Sequence, residues 1–171
     1  ADAMAVDGTA ISVDVRQGVL EQAERSEGIE IGLRVMVGKR QAAVSASDLS
    51  ARTIADMAER AVAMAREAPL DESLGLADPS DLAAVRDGGG LELDDPAADP
   101  TAADLERDAR AAEAAALSVA GVSQMDAASA SFARRRIHMA GTNGFQGGYG
   151  RSSRSISAVA ITGEGLGMER D

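Results

Sequence analysis

The residues able to do chemistry are few. His138 is the only imidazole, and there is no cysteine. A zinc site would need His138 together with carboxylates, yet no His-Glu-x-x-His spacing occurs. Flanked by Ile137 and Met139, His138 reads first as a structural residue on a strand. No Gly-x-Ser-x-Gly elbow is present to raise a serine nucleophile. Gly38-Lys39 suggests a phosphate-binding loop, but Arg40 stands where that loop requires Ser or Thr. Arg134-Arg135-Arg136 is a local basic cluster; on a strand the three would point to alternating faces. It reads as a salt-bridged strand or a contact with an acidic partner. The glycine-rich run 141–150, GTNGFQGGYG, is the one place where a second chain could approach the backbone closely. Its candidate contact residues are Gly141, Asn143, Gly144, Gly147, Gly148 and Tyr149. The competing reading is a hairpin turn with a bulge. Residue chemistry alone assigns no catalytic residue and no metal ligand.

Composition narrows the rest. At 171 residues the chain is long enough to bury a core, and the length suits a single domain over 1–171. Phe132, Phe145 and Tyr149 are the only aromatics, so that core must be aliphatic and rich in Ala and Val. The net charge of −11 disfavours nucleic acid, whose backbone demands a basic footprint. Residues 71–113 hold thirteen acidic residues against three arginines, a net −10. That stretch is either an electrostatic docking surface or a solvated connector with charged helix exteriors. No run of 18 apolar residues is present to span a membrane, and the opening ADAMAVDG, with no basic n-region and no apolar h-region, leads us to expect no signal peptide. The lack of cysteine fits a reducing compartment, and a cytoplasmic location is expected.

These residues must be positioned by an α+β fold. Residues 9–16 alternate Ile11, Val13, Val15 against polar neighbours, a half-buried strand. Residues 19–25 form a more polar strand. Ser26-Glu27-Gly28 is expected to turn into a longer central strand at 29–37, and Gly38-Lys39 leads to a fourth strand carrying Ala42, Val44 and Ala46. Ser50 can cap a helix to about residue 67 with Ile54, Met57, Ala58, Ala61, Val62 and Ala65 on one face, stopped by Pro69. Asp78-Pro79 suggests a short helix ended by Gly88-Gly89-Gly90. Thr101 and Asp104 make a capping-box start for a helix to about 119, with Leu105, Ala109, Ala112 and Ala116 on one face. Residues 122–139 and 145–162 then form a hairpin around Asn143-Gly144. The expected fold is thus a mostly antiparallel sheet, an N-terminal β-meander and a C-terminal β-hairpin, covered by two longer helices. Its parts are a meander plus helix over 9–69, an acidic connector over 70–100, and a helix plus hairpin over 101–171.

Several assembled patterns carry a family resemblance. They are Glu24-Arg25-Ser26, the Gly32-Leu33-Arg34-Val35-x-Val37-Gly38-Lys39-Arg40-Gln41 strand and turn, Ser45-x-Ser47-Asp48-Leu49, the Gly75 to Pro79 stretch, and Thr142-Asn143-Gly144-Phe145-x-Gly147-x-Tyr149. Together they resemble the N-terminal part of the TldD/PmbA family, known also as modulators of DNA gyrase. The Gly-Lys-Arg-Gln version is closer to the PmbA (TldE) branch. The resemblance implies a fragment of a longer protein. It implies a subunit that lacks zinc ligands and pairs as a heterodimer with a TldD-like subunit. That partner carries the zinc in a His-Glu-x-x-x-His motif and cleaves unfolded peptides. No zinc ligand of the family lies in these 171 residues.

The expected function is therefore substrate capture or subunit assembly within a zinc-dependent metalloprotease complex, with an unfolded peptide passing along a strand edge near 141–150. On that view Gly147 and Gly148 should be replaceable by Val without disturbing folding. The alternative is a non-enzymatic protein-binding domain, including a regulator of DNA gyrase.

Overall fold

Two tight turns set the N-terminal half. The structure, a computed structural model, describes residues 1–163 and 165–170. Gln17 and Gly18 both take positive φ, 54° and 70°, and join β1 (Asp2–Arg16) to β2 (Val19–Val37). Two positive φ values in a two-residue loop match the twist of the flanking strands. Gly38, at φ 60°, and Lys39 join β2 to β3 (Arg40–Ala46), and Val37 pairs with Arg40 across that turn.

The meander therefore has three strands where the sequence suggests four. The expected turn at Ser26-Glu27-Gly28 is absent: β2 runs through it as one 19-residue strand. Its residues from Val19 to Glu30 are exposed, so their polarity reflects solvent contact and not chain reversal. β1 also begins earlier than its alternation suggests. Its start is tied down where Thr142 N–H donates to the Ala1 carbonyl at 2.9 Å.

α1 (Ala51–Glu67) begins at Ser50, whose side chain accepts from Thr53 N–H, and ends before Pro69. Of its expected stripe, Met57, Ala61 and Ala65 are buried, whereas Ile54 is exposed. The short helix expected from Asp78 shrinks to a single 3-10 turn, Pro79–Asp81, because Leu82 already adopts extended backbone. α2 (Ala102–Leu117) starts in a full capping box, with Thr101 and Asp104 each accepting from the other's backbone N–H. β4 (Val122–Gly141) and β5 (Gln146–Thr162) form the second hairpin, with Gly144 at φ 87° in its turn. β6 (Glu169–Arg170) pairs with Ile161 and Thr162 of β5.

The strands make one antiparallel sheet in the order β3-β2-β1-β4-β5-β6. The first four in that order form a Greek key, because β4 returns through both helices to lie beside β1. The α+β expectation, a mostly antiparallel sheet with two longer helices, holds.

Packing divides the chain into two units, each best described by itself. The first comprises Ala1–Gly8, Gly28–Leu93 and Arg135–Arg151; there α1 packs on β3 through its small buried alanines. The second comprises Thr9–Glu27, Asp94–Arg134 and Ser152–Asp171. Its core joins Val13 and Val15 of β1, Leu105 and Ala109 of α2, and Ala130 and Phe132 of β4. Leu105 is fully buried there, so Leu105→Ala should cost about 2–5 kcal/mol, read as a lower urea midpoint.

Four capping carboxylates sit below the ordinary carboxylate pKa. Hydrogen bonds hold Asp48 down chiefly through Thr53, Asp71 through Ser73, Asp78 through Ser80 and Asp104 through Thr101. A carboxylate depressed by folding adds stability above its unfolded pKa of ~3.9 and loses it as pH falls through the folded value. The urea midpoint should thus fall below about pH 4. Asp104→Asn should flatten part of that fall while lowering the midpoint at neutral pH.

Candidate functional site

The glycine-rich hairpin sits in the first unit, and its own chain uses most of its features. Gly141 N–H donates to the Phe145 carbonyl at 2.9 Å and Gly144 N–H to the Gly141 carbonyl at 3.0 Å. Asn143 braces the turn twice: its Oδ1 accepts from Phe145 N–H at 3.2 Å, and its Nδ2 donates to the Ala77 carbonyl at 3.0 Å. Tyr149 packs against Gly88, where an added Cβ would lie 3.1 Å from the Tyr149 Cβ.

Gly147 and Gly148 are the tightest points. A Cβ on Gly147 would fall 2.5 Å from the Arg86 carbonyl oxygen and 2.8 Å from its Cβ. A Cβ on Gly148 would strike the Ile137 carbonyl oxygen and lie 2.7 Å from His138 Nδ1. Neither glycine has the positive φ that would itself demand glycine. Both are required by close approach: the connector at Arg86 crowds Gly147, and the neighbouring strand β4 at Ile137 and His138 crowds Gly148. The expectation that valine here would leave folding intact is overturned.

Arg86 is the residue that sequence reasoning passed over. Its carbonyl accepts from Gly148 N–H at 2.8 Å. Its guanidinium donates to the carbonyls of Ala83 at 2.8 Å and Gly144 at 3.2 Å, and lies 5.5 Å from the centre of the Phe145 ring. The Asn-Gly turn signal was available in the sequence; the segment that would lie on it was not. An open groove of about 880 Å³ borders this contact, with Ile29, Asp7, Arg136, His138 and Gly148 along it. Arg136 and His138, two apart on β4, share a face.

Three other basic residues are engaged within the fold. In the first unit, Lys39 Nζ donates to the carbonyls of Glu72 and Leu74, each at 2.9 Å, and Arg40 caps the Ala68 carbonyl. The phosphate-loop reading has no support in that arrangement. In the second unit, Arg134 bonds Asp94 and Asp99 at 2.8 Å each and the carbonyls of Asp95 and Ala97, with its guanidinium 5.8 Å from the Phe132 ring centre. There too Glu113, almost wholly buried, accepts from Gly18 N–H at 2.7 Å and fixes the β1–β2 turn. Its spacing from Leu105 and Ala109, every fourth residue, was the sequence signal for a charged group facing inward.

Two family descriptions match consecutive parts of the chain: the PmbA/TldA metallopeptidase domain 1 over residues 1–65, and the PmbA/TldA metallopeptidase central domain over residues 95–171. The chain belongs to the PmbA/TldD family. Metalloprotease PmbA of Escherichia coli O157:H7 is 30% identical over 163 residues, covering 95% of this chain and 36% of that protein. A proposed modulator of DNA gyrase from Bacteroides thetaiotaomicron superposes with a TM-score of 0.84 at 20% identity, over 99% of this chain and 38% of that one. TldE from Thermococcus kodakarensis does so at 0.75 and 13% identity, over 98% and 37%. The two structural likenesses show the fold. The chain spans little more than a third of each of these PmbA/TldD relatives.

A metallopeptidase family implies a metal. Among the described residues no three His, Cys, Asp or Glu side chains come together to hold one, and His138 lies over Gly148. This part of a PmbA/TldD protein does not fit a metal site, so no step is routed through one. Among the described residues, no helix is long and apolar enough to cross a membrane.

The geometry makes one direct demand. Gly148→Val should destabilise the protein by about 1–3 kcal/mol, because the overlap is with the β4 backbone, which cannot move aside as a side chain can. A urea titration checks it, with Gln146→Val as the neutral comparison.

Proposed function

We propose that this chain is the N-terminal part of a PmbA/TldE-like subunit in a zinc-dependent metalloprotease complex, and that it holds unfolded peptides for a TldD-type partner carrying the zinc. The observation that carries the reading is the outer edge of β5 beside the groove. β6 pairs only with Ile161 and Thr162, so β5 from Gln146 to Ala160 has no strand on that side among the described residues. An extended peptide can add to such an edge by main-chain hydrogen bonds, which tolerate many sequences. Gly141, Asn143, Gly144, Gly147, Gly148 and Tyr149 frame the start of this edge. The complex would work in the cytoplasm, in keeping with a cysteine-free chain.

A second reading is an assembly domain that touches no substrate. The connector already lying on Gly147 and Gly148 favours it, since that close approach is then complete without a peptide.

The experiment is cleavage of an unfolded peptide by the full-length protein, alone and mixed with a TldD-type subunit, with and without a chelator. Chelator-sensitive cleavage in the mixture alone is expected. Cleavage by the full-length protein alone would make it a protease in its own right. If cleavage in the mixture is unaffected by changes along β5 that alter subunit association, the assembly reading replaces the first.

A further inference from the structure

In antiparallel pairing, alternate residues turn their N–H and C=O away from the partner strand. On β5, Gly148 is one such residue, and Gln146 and Gly150 share its phase. These three present six outward backbone groups. The connector engages one of them, through the Arg86 carbonyl on Gly148 N–H. Among the described residues it is the only backbone hydrogen bond from 83–93 to any strand. The same segment is poorly buried: Val85 is 65% and Leu91 66% exposed. Besides the packing of Tyr149 on Gly88, its hold rests on the Arg86 guanidinium, which reaches Ala83, Gly144 and the Phe145 ring.

A sheet edge is a hazard for unwanted pairing, and a covering loop is one way to protect it. The cover here is slight. An incoming extended chain over 146–150 would make roughly two to three backbone hydrogen bonds where the connector makes one. Few buried contacts and a single backbone tie also place the segment at the low end of local stability.

We propose that residues 84–87 are a displaceable guard: Arg86 occupies the position on Gly148 that an extended peptide must take, and the peptide binds by replacing it. This rests on the peptide-holding reading above and adds its regulation. The guard lowers apparent affinity by the fraction of time it is seated, and it screens out chains too short or too folded to make the extra bonds.

Two variants loosen the guard by different routes. Arg86→Ala removes the guanidinium anchor. Gly147→Ala places a Cβ 2.5 Å from the Arg86 carbonyl oxygen and pushes the segment off the edge. The probe is a short dye-labelled peptide of alternating Thr and Val, read by fluorescence anisotropy on the full-length protein assembled with a TldD-type subunit. Both variants should bind it about three- to tenfold more tightly than the unaltered protein. A peptide N-methylated on alternate residues should lose that gain. In the unaltered protein, the Gly148 amide should exchange with solvent through local opening, faster than the β4 amides. If the unaltered protein binds the peptide and both variants bind it equally or more weakly, the guard is overturned and peptide holding stays intact. Exchange of Gly148 only on global unfolding would overturn it as well. Absence of binding by every form would remove the peptide-holding reading, and the guard with it.

Discussion

Much of the connector's chemistry follows from the unpaired backbone along the outer side of β5. A strand of 17 residues with a two-residue partner at its far end leaves N–H and C=O groups that must be hydrated or covered. In the first unit Arg86 meets Gly148. In the second, Asp95 N–H donates to Ser152 Oγ at 2.8 Å. The Asp95 contact exists because Arg134 gathers Asp94, Asp99 and two carbonyls of the same loop around one guanidinium. Five donors in a rigid fork suit Arg to such a task, where a lysine would be a point charge.

That arrangement changes what the acidity means. Asp94 and Asp99 hold Arg134, Asp104 holds Arg107, Glu106 holds Arg110, and Asp108 holds Arg154. Exposed pairs of this kind add little stability singly. Their effect is to place loop and helix, and they take carboxylates out of the free surface charge. Glu113 is buried outright. A solvated connector with charged helix exteriors describes residues 71–113 better than a docking surface, with the addition that the charges shape the loop.

The periodic parts of the fold were legible in the sequence, and the reason is physical. Val13 and Val15, Ala130 and Phe132, Leu105 and Ala109 face one core, and their spacing of two or four residues is dictated by it. Ser50 and Thr101 could be read because a helix start needs its N–H groups satisfied locally. Ser26-Glu27-Gly28 misled because polar residues mark both turns and exposed strands, and only the neighbouring strand decides between them. The candidate site was legible only as a run of glycines. Which chain they admit depends on where an irregular segment, 60 residues upstream in sequence, comes to lie. No local pattern encodes that, and so Arg86 was missed.

The gyrase label can be weighed on the same ground. A protein that imitates DNA must display carboxylates in a row, unpaired and spaced like phosphates, because the imitation works through an uncompensated field. Here the acidic residues are concentrated in one stretch, several are already matched to arginines of the same chain, and others accept from the backbone as Asp48, Asp71 and Asp78 do. The field that remains is broken up by these commitments. An open strand edge, by contrast, offers donors and acceptors at the repeat of any extended polypeptide, whatever its side chains. The charge distribution thus argues against direct recognition of a nucleic-acid-binding surface, and the open backbone of β5 is the feature on which the proposed holding of unfolded peptides rests.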